Sequence, residues 1–197
     1  MKRLKNVCCF YAMTIAVIIY CISGASYAEQ SRGFKVVFKN KAGDDVGFYS
    51  GNHALLVGVS DYTDGWPDLE SIPGELEKIK NLLSKRGFSV QTVLNPNSRE
   101  LSRAFMDFRD EYGYNKDDRL LFFFSGHGYT RKSGKKGYLV PTDAPDPRKD
   151  EKKFLRKAVD MGQVLSWARQ MESKHALFLF DSCFSGTIFK TRALPKH

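Results

Sequence analysis

The chain has 197 residues and a formal net charge of +9, with 42% hydrophobic and 13% aromatic residues. This length and composition are typical of one globular α/β domain with a sizeable core, or of part of a larger domain. The sequence has no heptads, tandem repeats or low-complexity tracts, which excludes coiled coils and solenoids.

The first 28 residues have the pattern of a secretory signal peptide. Three basic residues precede the uncharged apolar run Val7–Ile22, and Ser26-Tyr27-Ala28 has small residues at the two positions that a signal peptidase reads. Cleavage after Ala28 and export to a periplasmic or extracellular compartment are therefore expected. The alternative is an uncleaved membrane anchor, for which the run is short, since a membrane span needs about 20 residues.

Removal of this leader changes the charge and the cysteine content of the chain. The net charge falls from +9 to +6, because the leader holds three basic and no acidic residues. The remaining basic residues, including those of 131–136 and 148–157, are in loop-like contexts, which favours a solvated surface over a nucleic-acid groove. Cys183 is the one cysteine left, so its thiol is either a core residue or a nucleophile, and no intramolecular disulfide can form.

Residues 29–52 are predicted to form an N-terminal extension that precedes the main domain at 53–197. The apolar residues Phe34, Val36 and Phe38 recur at period two and indicate an edge strand. The segment Gly43-Asp44-Asp45 is typical of a turn.

From His53 onward, apolar runs alternate with amphipathic segments. Strands are predicted at 54–59, 88–93, 120–124 and 176–180, and all but the second are continuous apolar runs of the kind found in buried strands. A hairpin arm is expected at 137–140. This alternation predicts an α/β fold, a mostly parallel, doubly wound sheet with helices on both faces. The helix signals are Pro73 and Gly87 around a first helix, Asn97 with Glu100 before a second, and Asp160 with Gln163 before a third.

His127 and Cys183 each follow the carboxyl end of a predicted buried strand by about three residues. Loops at these ends emerge at one edge of a parallel sheet, where ligands bind, so the two side chains are expected to lie together. An imidazole can take the proton of a thiol, whose reference pKa is about 8.5, and later pass a proton to a leaving group. The alternative is a metal site, which lacks further ligands because His53, His175 and His197 are placed elsewhere.

Two segments resemble the catalytic His and Cys blocks of caspase-like peptidases: Leu120–Gly128 (LLFFFSGHG) and Leu177–Gly186 (LFLFDSCFSG). The DSCxSG form is closer to metacaspases and bacterial caspase homologues than to animal caspases, whose motif is QACxG. The separation of 56 residues between the two motif residues agrees with the roughly 50 residues of the caspase order. The resemblance covers about residues 53–190.

The resemblance implies a caspase-like three-layer sandwich and a cysteine endopeptidase that forms an acyl-enzyme with a peptide or protein substrate. Cys183 would be the nucleophile and His127 the general base and acid, while the backbone N–H groups of Gly128 and Cys183 would form the oxyanion hole. Asp181 matches the acidic residue that lines the specificity pocket of metacaspases, which cleave after Arg or Lys. Asp61 is a second candidate for that pocket, and an ordinary loop residue is the alternative.

The resemblance implies no resident metal or other cofactor. Metacaspases often require calcium, although no acidic cluster in this sequence indicates a calcium site. No nucleic-acid partner is expected.

The sequence departs from the family after Cys183, where 14 residues follow instead of two further strands and their substrate-binding loops. The domain at 53–197 is therefore interpreted as the large-subunit part of a truncated catalytic domain, with the C-terminal strands missing. A second chain completing the sheet, or a degraded and inactive copy, are the alternatives. The corresponding alternative functions are a non-catalytic caspase-like interaction domain and another acyl-transfer reaction on the same dyad. Self-cleavage is a further hypothesis, at Lys190, Arg192 or Lys196.

Overall fold

The computed structural model describes residues 37–39, 41–43, 45–131, 134 and 136–182. The predicted leader at 1–28 and Cys183 lie outside these residues. In chain order, the strands are β1 (Val37–Lys39), β2 (Asp45–Phe48), β3 (Gly51–Gly58), β4 (Ser89–Leu94), β5 (Asp118–Ser125), β6 (Gly128–Arg131), β7 (Lys136–Leu139), β8 (Val159–Asp160) and β9 (His175–Asp181). The helices are α1 (Ile72–Lys85), α2 (Ser98–Tyr112), α3 (Glu151–Lys157) and α4 (Met161–Ala168).

A parallel sheet with the strand order β4-β3-β5-β9 forms the centre of the described part of the chain. Parallel neighbours need crossover connections, and α1, α2 and α4 lie in the connections between successive strands of this sheet. The strands are in register at their carboxyl ends, since Gly58 pairs with Ser125 and Ser125 pairs with Asp181. The predicted parallel sheet is confirmed, and the loops that follow β3 and β5 leave it at the same end.

Helices cover both faces of this sheet, as the sequence predicts. On one face, Phe105 of α2 packs against Phe122 of β5 and Trp167 of α4, with ring centroids 4.9 and 5.1 Å apart. On the other face, Ile72 and Leu76 of α1 pack against Leu56. Successive strand residues point to opposite faces, so each apolar run supplies two cores at once. Burial of one such side chain contributes about 1.5–3 kcal/mol.

The predicted helix boundaries agree with the structure where the signals are local. At the start of α2, the Asn97 side chain accepts hydrogen bonds from the N–H groups of Arg99 and Glu100, and Glu100 accepts from the Asn97 N–H. This is the predicted capping box. Gly87 follows α1 with a φ of +79°, a conformation that glycine adopts without strain.

The short helix α3 corrects the prediction of a loop for the charged stretch 148–157. Five of the seven residues of α3 are charged, which hides a helical hydrophobic pattern. Two tertiary features stabilise it. Asp150 accepts a hydrogen bond from the Lys153 N–H at the first turn, and Phe154 is completely buried.

The strand β9 corrects a second prediction, since the sequence indicates burial of both of its faces and the structure buries one. Phe178 and Phe180 pack against the core of α2 and α4, whereas Leu177 and Leu179 are 52% and 42% exposed. β9 lies at the edge of the sheet opposite β4, and α1 packs over β3 and β4. Among the described residues, the outer face of β9 is therefore not covered by a helix.

The remaining strands form two small antiparallel sheets. The predicted hairpin arm is β7, which pairs with β6 and with β8. The predicted N-terminal edge strand is β1, and it pairs with β2 in a separate two-stranded sheet rather than at the edge of the main one. The predicted turn between them includes Gly43, whose φ is +89°.

Candidate active site

His127 lies in the short link between β5 and β6, and hydrogen bonds hold its backbone on both sides. Its N–H donates to the Tyr62 hydroxyl over 2.8 Å, and its carbonyl accepts from the Val140 N–H. The preceding Gly126 N–H donates to the carbonyl of Asp181. A Cβ at Gly126 would lie 3.0 Å from Tyr62 Oη and 3.1 Å from a ring carbon of Phe124, so glycine is what permits this close approach.

The imidazole of His127 is oriented by a backbone carbonyl. His127 Nε2 lies 2.8 Å from the carbonyl oxygen of Pro67, which can only accept a hydrogen bond. Nε2 therefore carries the proton, and in the neutral ring Nδ1 keeps a lone pair to which no residue in the described part of the chain donates. The ring also packs against Tyr62 and Trp66, with centroids 4.8 and 5.1 Å away. This arrangement leaves one ring nitrogen ready to accept a proton.

The loop that follows β3 supplies these contacts, and internal hydrogen bonds fix its shape. The Tyr62 N–H donates to the Asp68 carboxylate over 2.8 Å, and the Leu69 N–H donates to the carbonyl of Ser60 over 2.8 Å. Thr63 donates from its N–H and from its hydroxyl to the carbonyl of Thr142. Burial raises the pKa of Tyr62, so its phenol stays protonated near neutral pH.

Helix α3 also contacts this loop. Lys153 Nζ lies 2.6 Å from the Asp64 carboxylate, and the Trp66 ring packs against Phe154 with centroids 6.3 Å apart. Phe154 also meets Tyr129 edge to face at 5.1 Å. The helix that the sequence did not predict is therefore linked to His127 through one layer of aromatic side chains.

Asp61 lies at the carboxyl end of the sheet, where the side chain of Asn95, the residue that follows β4, holds it in place. The Asn95 side chain donates from Nδ2 to the Asp61 carboxylate over 2.8 Å, and its Oδ1 accepts from the Ser60 N–H over 2.7 Å. The Ser60 hydroxyl donates to the other Asp61 oxygen over 2.9 Å. Asp61 is exposed, and its sequence neighbour Tyr62 contacts His127 directly.

The two predicted acidic residues lie on either side of the strand that leads to His127. Asp61 follows β3 and Asp181 ends β9, while β5 lies between these strands. The side chain of Asp181 is exposed. Gly128, the predicted oxyanion donor, is the first residue of β6 and pairs with Leu139. The structure thus brings His127, Gly128, Asp61 and Asp181 to the carboxyl end of the parallel sheet. In the sequence, Cys183 comes two residues after the last residue of β9.

Sequence reasoning missed the residues that orient His127. The Pro67 carbonyl has no side-chain signature, because every residue has such an acceptor. The signal that could have indicated these residues is the pair of aromatic side chains Tyr62 and Trp66, which closely follow a predicted buried strand.

Within the described residues, no three His, Cys, Asp or Glu side chains are grouped so as to hold a metal ion. No helix in the same part of the chain is long and apolar enough to cross a membrane.

His53 is on the central strand β3 but pairs with Leu120, near the amino end of β5, whereas His127 follows the carboxyl end of β5. Its ring stacks on Tyr112 at 3.8 Å, and its Nε2 lies 3.4 Å from the buried carboxylate of Asp118.

We expect His53 to make the stability of the fold depend on pH. Burial lowers its pKa below the ordinary value of 6.5, although the negative charges of Asp118 and Glu111 act in the opposite direction. The folded state then binds fewer protons than the unfolded state, so the free energy of unfolding should decline as pH falls below about 6.5. Urea unfolding at about pH 7.5 and about pH 5.5 measures this difference. It should be smaller in His53→Gln, and an unchanged difference in that variant would contradict the assignment to His53.

A comparison with known protein families matches residues 52–196 to the caspase domain. A comparison with curated proteins found no match. The matched range includes all of the parallel sheet except Gly51, all four described helices and His127. The caspase domain is a peptidase domain, which implies cysteine-peptidase chemistry and a peptide or protein substrate. Because the match covers well over half of the sequence and the fold agrees with it, this chain belongs to the caspase-domain family.

Proposed function

We propose that the chain is a cysteine endopeptidase in which His127 and Cys183 form the catalytic dyad, with cleavage after Arg or Lys. The observation that carries this proposal is the hydrogen bond from His127 Nε2 to the Pro67 carbonyl. It assigns the proton to Nε2 and leaves Nδ1 as the atom that accepts the thiol proton. The position of Cys183, two residues after the end of β9, supports the pairing, since β9 neighbours β5 in the sheet.

The proposed reaction has two halves. His127 Nδ1 takes the proton of the Cys183 thiol, and the thiolate attacks the carbonyl carbon of the scissile peptide bond. The tetrahedral intermediate collapses to a thioester while the imidazolium passes its proton to the departing amine. Water then gives a proton to Nδ1 and attacks the thioester, which releases the carboxylic acid and restores the thiol. The Pro67 carbonyl stabilises the imidazolium in both halves.

The oxyanion hole is proposed to consist of the backbone N–H groups of Gly128 and Cys183. A single donor of this kind contributes about 3–4 kcal/mol to transition-state stabilisation. The proposed preference for a basic residue rests on Asp61 and Asp181, which are exposed and lie at the carboxyl ends of the two strands that flank β5. A carboxylate held by Asn95 and Ser60, as that of Asp61 is, suits a guanidinium or ammonium group.

Fluorogenic peptides ending in Arg, Lys or Asp test this function on the full chain, with and without calcium. We expect turnover of the Arg and Lys peptides, and loss of that turnover in Cys183→Ala. Asp61→Asn should weaken turnover of the basic peptides, because the neutral amide lacks the charge that attracts them. Absence of Cys183-dependent turnover for every peptide would overturn the peptidase proposal. A preference for the Asp peptide would overturn the basic specificity alone.

The second candidate is a non-catalytic caspase-like interaction domain. The exposed Leu177 and Leu179 of β9 favour it, since apolar side chains on an outer strand are suited to contact with another polypeptide. The same peptide assay separates the two functions, because an interaction domain would show no Cys183-dependent turnover.

A further inference from the structure

A cavity of about 490 Å³ lies between the first half of α2 and the end of α3. This volume is within the range of small-molecule binding sites. Its lining includes four basic residues (Arg99, Arg103, Arg156 and Lys157) and one acidic residue, Asp143. The cavity wall therefore carries an excess of positive charge.

The single carboxylate of the cavity already has its partners. One Asp143 oxygen accepts a hydrogen bond from the Ser98 N–H over 2.8 Å, and the other lies 2.6 Å from Lys157 Nζ. The three arginines form no ion pair within the part of the chain that the structure describes. Asp143 and Lys157 thus neutralise each other, and the guanidinium groups of Arg99, Arg103 and Arg156 set the charge of the cavity.

Three guanidinium groups that line one concave surface repel one another, and their geometry suits an anionic ligand. Like charges repel one another, and bound anions of opposite charge relieve this repulsion. The planar guanidinium presents paired N–H donors that match a phosphate or carboxylate group bidentately. A concave wall of one charge sign also concentrates counter-ions more strongly than a flat surface does.

We propose that this cavity binds a compact polyanion, a small molecule that carries several phosphate or carboxylate groups. Arg99 and Arg103 are one helical turn apart on α2, and Arg156 faces the same space from α3. A ligand that bridges them joins two helices that lie on opposite sides of the cavity. The proposal is independent of the peptidase reaction.

Isothermal titration calorimetry on the full chain tests this proposal at constant ionic strength, with sodium triphosphate and with citrate as probes. We expect saturable binding, weakened about tenfold by Arg103→Gln because one charge-assisted contact is lost, and further by Arg103→Gln combined with Arg156→Gln. Tighter binding of triphosphate would identify phosphate as the recognised group, and tighter binding of citrate would identify carboxylate. Either result supports a polyanion site.

Arg86→Gln is the matched control, because Arg86 is an exposed arginine that follows α1 and does not line the cavity. It should leave the affinity unchanged. Absence of saturable binding of both probes would overturn the proposal, as would an equal loss of affinity in the control. Circular dichroism of each variant verifies that it is folded. The titration can be repeated on Cys183→Ala, so failure of the polyanion site and failure of the peptidase remain distinguishable.

Discussion

The His127→Ala variant is expected to lose hydrolysis of an Arg peptide by about 10²–10⁴-fold in kcat/KM, the range that general acid–base catalysis contributes. Without the imidazole, the thiol must ionise by itself, and at its reference pKa of about 8.5 it is mostly protonated near neutral pH. The residual activity should therefore rise with pH as the thiolate forms. Steady-state kinetics of the variant across pH give both the size of the loss and this profile.

His175→Ala is the matched control, since His175 begins β9 and lies at the opposite end of that strand from Asp181. The same substitution there should leave kcat/KM within a small factor of the unchanged chain. Activity in His127→Ala equal to that of the control would contradict the role of His127 as the base. A loss that does not recover at high pH would contradict the assignment of proton acceptance to its ring.

The elements that sequence reasoning predicted correctly are those whose signals are local. The capping box of Asn97 and Glu100 occupies four successive residues, and it marks the start of α2 as the structure has it. β3 and β5 are both central, and each is paired on two sides. The apolar run of β3 is buried, whereas in β5 Leu120, Phe122 and Phe124 are buried and Leu121 and Phe123 are partly buried. Since parallel strands place their carboxyl ends together, the predicted parallel sheet was enough to place His127 at that end, whereas Asp61 and Asp181 came from the family resemblance.

The features that were missed depend on partners far away in the chain. Exposure of Leu179 is set by where α1 crosses the sheet, which the apolar run of β9 does not encode. The orientation of His127 depends on the Pro67 carbonyl, 60 residues earlier in the sequence. Asp61 is held by Asn95, whose φ of +55° lets its side chain reach back to the end of the neighbouring strand. These contacts exist only after the sheet has formed.

Helix α3 is hard to predict because its charged residues hide a helical hydrophobic pattern and because its stabilising contacts come from distant residues. Its buried aromatic residue, Phe154, gives the largest expected effect on stability. Phe154→Ala should lower the free energy of unfolding by about 3–5 kcal/mol, because Phe154 is completely buried and packs against Trp66, Tyr129 and Tyr138. Urea unfolding followed by fluorescence measures this loss. Truncation also removes the support beneath Trp66, so kcat/KM for an Arg peptide should fall under conditions where the variant remains folded.

Lys152→Ala is the control for this prediction, because Lys152 is an exposed residue of the same helix. It should change the free energy of unfolding by less than about 0.5 kcal/mol and leave kcat/KM unchanged. A Phe154→Ala variant with unchanged stability would contradict the packing argument. A destabilised variant with unchanged kcat/KM would instead show that the loop from Asp61 to Asp68 keeps the Pro67 carbonyl in place without α3. Only a loss of both quantities supports the view that the helix positions the catalytic histidine.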